Sequence, residues 1–203
     1  MNTETKKYCA FNGSETFRQQ MIDAADEHER LDHYMAGTYG DGVKACSVGC
    51  SVRSVNKINN KRILRGSHAG LAKNLGIPEF ICRLQDTIFE GLPSALRPSF
   101  TGKLFRAIKA GADLSAVLPL FLLRVLGGLP EQGRADVVAS IKLARDVLQL
   151  WADTGFVDAT AAHAANAAAS AANDAYAAAY AAAYEKMECE LLEIIKIVCG
   201  DKK

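Results

Sequence analysis

The chain is poor in most of the features that announce a function. Its 203 residues carry 24 basic and 23 acidic side chains, for a net charge of +1. That balance excludes a globally basic nucleic-acid coat, although not a local basic patch. Proline occurs five times and glycine follows no triplet period, so a collagen-like chain does not fit. Long apolar runs are missing. The most apolar stretch, LSAVLPLFLLRVL from Leu114 to Leu126, is too short to span a bilayer and is interrupted by Pro119 and Arg124. A core helix is expected there, kinked or divided at Pro119, and no membrane association. The leading MNTETKKYCAFNGSE has neither an apolar core nor a small-residue cleavage site, so no secretory signal is expected. The six cysteines (Cys9, Cys46, Cys50, Cys82, Cys189, Cys199) are therefore expected as reduced thiols of a cytoplasmic protein.

Catalytic signatures are absent as well. GxSxG, HExxH, the Walker A pattern and GxGxxG do not occur. EHERLDH around His28 and His33 has the wrong spacing for a zincin. The CxxC of a redox pair is also missing.

What is present is a globular composition, 49% apolar and 23% charged, with mean hydropathy of zero. Helical signals dominate. Phe17, Met21, Ala24, His28, Leu31 and Met35 step by four and three, which predicts an amphipathic helix from an N-cap at Ser14 to about Ala36. His28 in that stripe is expected as a half-buried, hydrogen-bonded histidine. Ser67 predicts a short helix over His68–Leu75 closed by Gly76. Ile77-Pro78 opens another, with Phe80, Ile81, Leu84, Ile88 and Phe89 buried and Gly91 as its stop. Further helices are expected over about 99–110, after Asp113, and over about 131–153, where Val137, Ile141, Ala144, Leu148 and Trp151 share a face. The segment from Val43 to Arg62 is small and weakly periodic, and does not distinguish helix from strand. The expectation is an all-α, single-domain bundle of seven or eight helices over 1–203.

Alanine supplies 17 of the 27 residues from Asp158 to Tyr184, which predicts a long terminal helix. His163, Asn166, Ser170 and Asn173 step along one face, which continues through Tyr180, Tyr184, Met187, Leu191, Ile194 and Val198. His163, Asn166, Tyr176 and Tyr180 are candidates to line a ligand groove. Such a helix also suits homo-oligomerisation.

Charge is unevenly placed. Residues 1–41 carry a net −4, residues 42–112 a net +9 and residues 113–203 a net −4. No Asp or Glu lies between Gly42 and Pro78. Lys44, Arg53, Lys57, Lys61, Arg62 and Arg65 therefore form a basic middle section. It is either a solvated face that pairs with the acidic ends, or a site for a small anionic ligand or an acidic host protein. No aromatic residue lies between Tyr39 and Phe80, which argues against stacking on single-stranded nucleic acid. Three local features carry chemistry. If a helix starts near Val43, the glycine loop Gly37–Gly42 with Lys44 would suit a phosphate. Cys46 and Cys50, one helical turn apart, could with His68, and with His33 as a further candidate, form a zinc site, against the simpler account of buried thiols. Asp86 and Glu90 lie one turn apart and would need a cleft to act together.

YGDGVKACSVGC, LGIPEFICRLQDTIFEGLP, AGADLS and the alanine-rich end, taken in that order, resemble a group of accessory proteins of bacteria and their phages. In that group a G-x-x-C-x-V-G-C segment precedes GIPE…L-x-D-x-IFEGLP, and the chain closes with repeated AAxAA units. The likeness covers most of the chain after about residue 28, and Leu75–Pro93 is its most specific part. Arg97-Pro98-Ser99 departs from it, since a tryptophan is expected there, and the alanine section is short. The resemblance carries over no catalytic residue. It implies a small accessory protein, phage or prophage encoded, of a kind that often acts by binding rather than by turnover. The leading expectation is a non-enzymatic helical binding protein of counter-defence type. The alternatives from the residues themselves are a zinc- or thiol-dependent enzyme at Cys46, Cys50 and His68, and a structural or immunity-type protein that pairs through its alanine helix.

Overall fold

The computed structural model describes residues 8–40, 43–127, 135–154 and 180–200. A 3-10 turn, Ala10–Gly13, precedes eight α-helices among these residues. They are α1 (Glu15–Arg30), α2 (Ser47–Asn59), α3 (His68–Leu75), α4 (Glu79–Gly91), α5 (Arg97–Ala107), α6 (Val117–Gly127), α7 (Ala135–Thr154) and α8 (Tyr180–Val198). The fold is all-α. Among the described residues the β structure is an isolated bridge between Tyr34 and Ala45. No described helix is long and apolar enough to cross a membrane.

The chain divides into two compact units, one holding Tyr8–Leu114 and the residues from Ile195 onward, the other holding Ser115–Ile194. In the first, α2 is the central helix and packs against α1, α3 and α4. Its sequence, SVGCSVRSVNKIN, is a poor helix former. What holds it is its environment. Val48, Cys50, Val52 and Val55 are buried. The buried hydroxyls of Ser51 and Ser54 donate to the carbonyls of Ser47 and Cys50 one turn back. Gln85 of α4 reaches across to Ser47 Oγ (2.6 Å) and Ser51 Oγ (3.0 Å), and Ser47 Oγ lies 2.7 Å from Thr101 Oγ1 of α5. These side chains bond one another where water is excluded, while Gln85 Oε1 is buried without a hydrogen-bond partner.

Around this axis Phe11 meets Phe17 and Phe105 edge-on, with ring centroids about 6 Å apart. Phe11 adopts φ +51, a left-handed conformation that costs a non-glycine residue free energy and is held here by complete burial. Gly76, at φ +67, ends α3; a Cβ there would stand 2.2 Å from Cys9 O. Only glycine lets the N-terminal segment lie against this turn, where Cys9 N donates to Gly76 O.

Several expectations are corrected. α1 stops at Arg30, not Ala36, because Asp32 takes φ +53 and residues 33–35 turn back to bond Ala45. Its core face is Phe17, Met21, Ile22 and Ala25, whereas Leu31 stays 42% exposed. On α4 the buried residues are Ile81, Cys82, Gln85, Ile88 and Phe89, so the face is rotated away from Phe80 and Leu84 towards the serines of α2. Pro119 sits in the first turn of α6, where its missing N–H has no helical partner to lose, and the helix continues past it. Helix α3 with its Ser67 cap and Gly76 stop is as expected.

In the second unit, α6 packs on α7. Ala144 and Leu148 are buried against Leu122, Leu123, Val125 and Trp151. Arg124 of α6 pairs with Glu190 and Glu193 of α8, each at 2.9 Å. The continuation of the expected alanine helix before Tyr180 lies outside the described residues, as do His163, Asn166 and Tyr176.

Candidate functional site

Two neighbourhoods of the first unit gather the polar chemistry. The first is a cleft between α1 and α2 of about 610 Å³. Ala24, Leu31 and Ile58 give it an apolar lining, and His28, His33, Arg53, Ser54 and Lys57 give it polar and basic groups. That volume falls within the range of small-molecule sites. The cleft exists because α1 is cut short. The turn at Leu31-Asp32 swings His33 back until its Nδ1 lies 3.1 Å from Nδ1 of His28. Nε2 of His28 lies 3.0 Å from Ser54 Oγ, whose own proton goes to Cys50 O. The serine oxygen therefore accepts from His28 Nε2–H, which leaves His28 Nδ1 to accept from His33. A neutral His28 is what this chain of bonds requires. Burial first, then the charges of His33 and Arg53, push its pKa down to about 4. Asp23 and Glu27 stand on the α1 rim. They are engaged along their own helix, Asp23 by Gln19 and Glu27 by both nitrogens of the Arg30 fork.

The second neighbourhood centres on Asp86. Its Oδ2 accepts from Tyr39 OH at 2.9 Å and meets His68 Nε2 at 3.1 Å. Its Oδ1 is buried and has no hydrogen-bond partner. One turn on, Glu90 accepts the Gly37 N–H at 2.7 Å. Cys46 completes the group: its Sγ and one carboxylate oxygen each from Asp86 and Glu90 all lie within 4.8 Å of one another. Burial pushes the Cys46 thiol up to about 12, and the Asp86 charge adds to this. Burial likewise raises the Glu90 carboxyl above its usual range. The phenol of Tyr39 is pushed up to about 12, first by its bond to Asp86.

Cys46 and His68 thus both stand beside Asp86, but His68 is not among the donors that converge within 4.8 Å, and Cys50 does not join them either. Cys46 is the N-cap of α2, with ψ 174, so it lies off the helical face expected for residues four apart. Cys50 Sγ points instead at the carbonyls of Ala45 (3.6 Å) and His33 (3.8 Å). His33 belongs to the His28 pair.

The basic section is dispersed. Arg53 and Lys57 line the cleft. Arg53 also donates to Val43 O, and Arg65 to Gly40 O at 2.7 Å, so both brace the glycine loop. Lys44 pairs with Asp32 at 2.6 Å. Lys61 and Arg62 are exposed beyond the end of α2. Tyr180 opens α8.

The expected phosphate cradle is corrected. The helix begins at Ser47, not near Val43, and its first turn is buried under the loop: Cys46 N donates to Thr38 O and Gly49 N to Cys46 Sγ. Sequence reasoning paired Asp86 with Glu90 but did not find Tyr39 or the convergence on Asp86. The i,i+4 spacing of the two carboxylates, in a stretch otherwise poor in acid, was the available signal.

No family model matches the chain, and neither a curated protein nor a solved structure does.

Proposed function

We propose that the chain is a non-enzymatic helical binding protein whose ligand is a small anion of nucleotide size, held in the α1–α2 cleft. The observation that carries this is the placing of Arg53, Lys57 and the His28–His33 pair around an apolar lining of suitable volume. Arg53 and Lys57 offer charge to a phosphate, the neutral His28 and its partner His33 offer a polar wall, and the Ala24–Leu31–Ile58 surface offers contact to a ring. Glu27 is paired with the Arg30 guanidinium, which offsets its charge towards an anion, whereas Asp23 is held by the neutral Gln19 amide and keeps its own charge at the rim. The sequence likeness to phage and bacterial accessory proteins supports a cytoplasmic, counter-defence role in which the ligand is sequestered. Homo-oligomerisation through the alanine-rich helix belongs to the same proposal.

Thermal unfolding with a panel of mono-, di- and cyclic nucleotides tests it. A ligand present at 100 times its Kd stabilises the native state by about 2.7 kcal/mol, which moves Tm by several degrees. Lys57→Glu, at an exposed position, should abolish the shift while the unliganded Tm stays within a degree or two. Native mass spectrometry of protein purified from a bacterial host should show a nucleotide-sized adduct. No shift with any anion, together with a bare chain, overturns the reading and turns the search to a host protein.

A further inference from the structure

Apart from the α1–α2 cleft, the structure assigns a divalent transition-metal site of zinc type to Cys46, Asp86 and Glu90, with His68 and Tyr39 holding the central carboxylate in place. The argument starts from the donor set. A thiol and two carboxylates from different parts of the chain converge within 4.8 Å. Cys46 comes from the cap of α2, and Asp86 and Glu90 from successive turns of α4. Zinc bonds sulfur at about 2.3 Å and carboxylate oxygen at about 2.0–2.2 Å, so small side-chain rotations would close this triangle on one ion. The mixture of one soft and two hard ligands suits zinc or cobalt better than magnesium or calcium, which take oxygen alone.

The second observation is Asp86 Oδ1. It is buried without a hydrogen-bond partner, while Oδ2 of the same carboxylate takes two. A buried carboxylate oxygen without a geometric partner is costly; the protonated Cys46 thiol interacts with this carboxylate, and an ion that took the place of its proton would serve both groups. The two contacts to Oδ2 are the outer-shell arrangement that orients ligating carboxylates. The ring of His68 is itself fixed by the edge-on ring of Tyr39, with centroids 6.0 Å apart. Glu90 is held by the Gly37 N–H, which donates to its Oε2. When the ion binds, a sulfur–metal bond forms and the thiol proton passes to solvent. Three protein ligands leave a tetrahedral ion one position for water or another donor.

The experiment uses the full chain stripped with chelator and titrated with Co²⁺, then Zn²⁺. One equivalent of Co²⁺ should give a thiolate-to-cobalt absorption band, and Zn²⁺ should displace it. Cys46→Ser should lose the band while keeping an N-cap able to bond Gly49 N. Asp86→Asn and Glu90→Gln should each weaken binding at least tenfold. His68→Ala should weaken it about 10- to 100-fold, as outer-shell changes do. Cys50→Ser should keep the band. Absence of the band in the wild-type chain overturns the assignment, as does its survival in Cys46→Ser or its loss in Cys50→Ser. If Cys46→Ser does not fold by circular dichroism, the Asp86→Asn and Glu90→Gln titrations decide. Cleft binding by anions is read separately, so failure of either assignment leaves the other standing.

Discussion

His28 shows how a single residue can tie stability to pH. Its native pKa lies near 4, against 6.5 for an ordinary histidine, because it is buried beside His33 and Arg53. Asp23, Glu27 and Lys57 are the other charged groups around the same cleft. Between those two values the unfolded chain binds a proton that the native chain refuses. Stability should therefore be fully present above about pH 6.5 and fall as pH drops towards 4. Urea midpoints at pH 7.5 and pH 5 measure the fall, and His28→Gln should reduce its slope. Gly49 gives a contest between two known effects. Alanine is the better helix former by about 1 kcal/mol. Its Cβ, however, would lie 2.5 Å from Tyr39 O and 2.8 Å from Ala45 Cβ. Overpacking against backbone costs about 1–3 kcal/mol. Gly49→Ala should thus lower the urea midpoint, and a raised midpoint would mean that the 38–40 loop yields.

At the scale of the element, local signals succeeded where they were strong. Ser67 accepts from Gly70 N at 3.1 Å, as a capping serine should. Ser67→Ala should cost about 0.5–2 kcal/mol by denaturant unfolding, and Ser67→Asp much less. The boundaries of α3 were legible because cap and stop chemistry are local. The end of α1 was not, because its apolar spacing runs on through Leu31 and Met35. What breaks the helix is the pairing of residues 33–35 with Ala45. Helix α2 was illegible for another reason. Its serines, glycine and valines carry weak and conflicting propensities. They become helical because small side chains let α1, α3 and α4 approach and because Gln85 bonds Ser47 and Ser51. Gln85→Leu should destabilise by about 1–3 kcal/mol, since it leaves buried hydroxyls without that donor. Little change in unfolding free energy would show that the serines re-pair among themselves.

Over the whole molecule, the cysteines separate by environment. Cys9 and Cys189 are exposed, while Cys46, Cys50 and Cys82 are buried. Burial raises all three buried thiols above their usual range, to about 11 for Cys50. Alkylation followed by peptide mass spectrometry should label Cys9 and Cys189 first. Cys46, Cys50 and Cys82 should react at a comparable rate only in denaturant. Rapid labelling of Cys46 in the native chain would contradict its burial beside Asp86. The charge pattern also acts at this scale. Some of the bases between Gly42 and Pro78 serve the chain itself, with Lys44 on Asp32 and Arg65 on Gly40 O. Arg53 and Lys57 are the ones that reach the cleft.

The sequence by itself determined the helical class, the capped helix α3, the start of α1 at Ser14 and the apolar character of α6. Each of these rests on interactions between residues a turn or two apart, which composition and spacing express directly. Only the tertiary structure decided which residues meet. It sent Cys50 away from Cys46, because one is a cap and the other lies inside the helix. It joined Cys46, His68 and Tyr39 to Asp86 across four segments of chain. It also opened the α1–α2 cleft by stopping a helix whose pattern continued. Those outcomes depend on contacts between residues far apart in sequence, and periodicity along the chain carries no record of them.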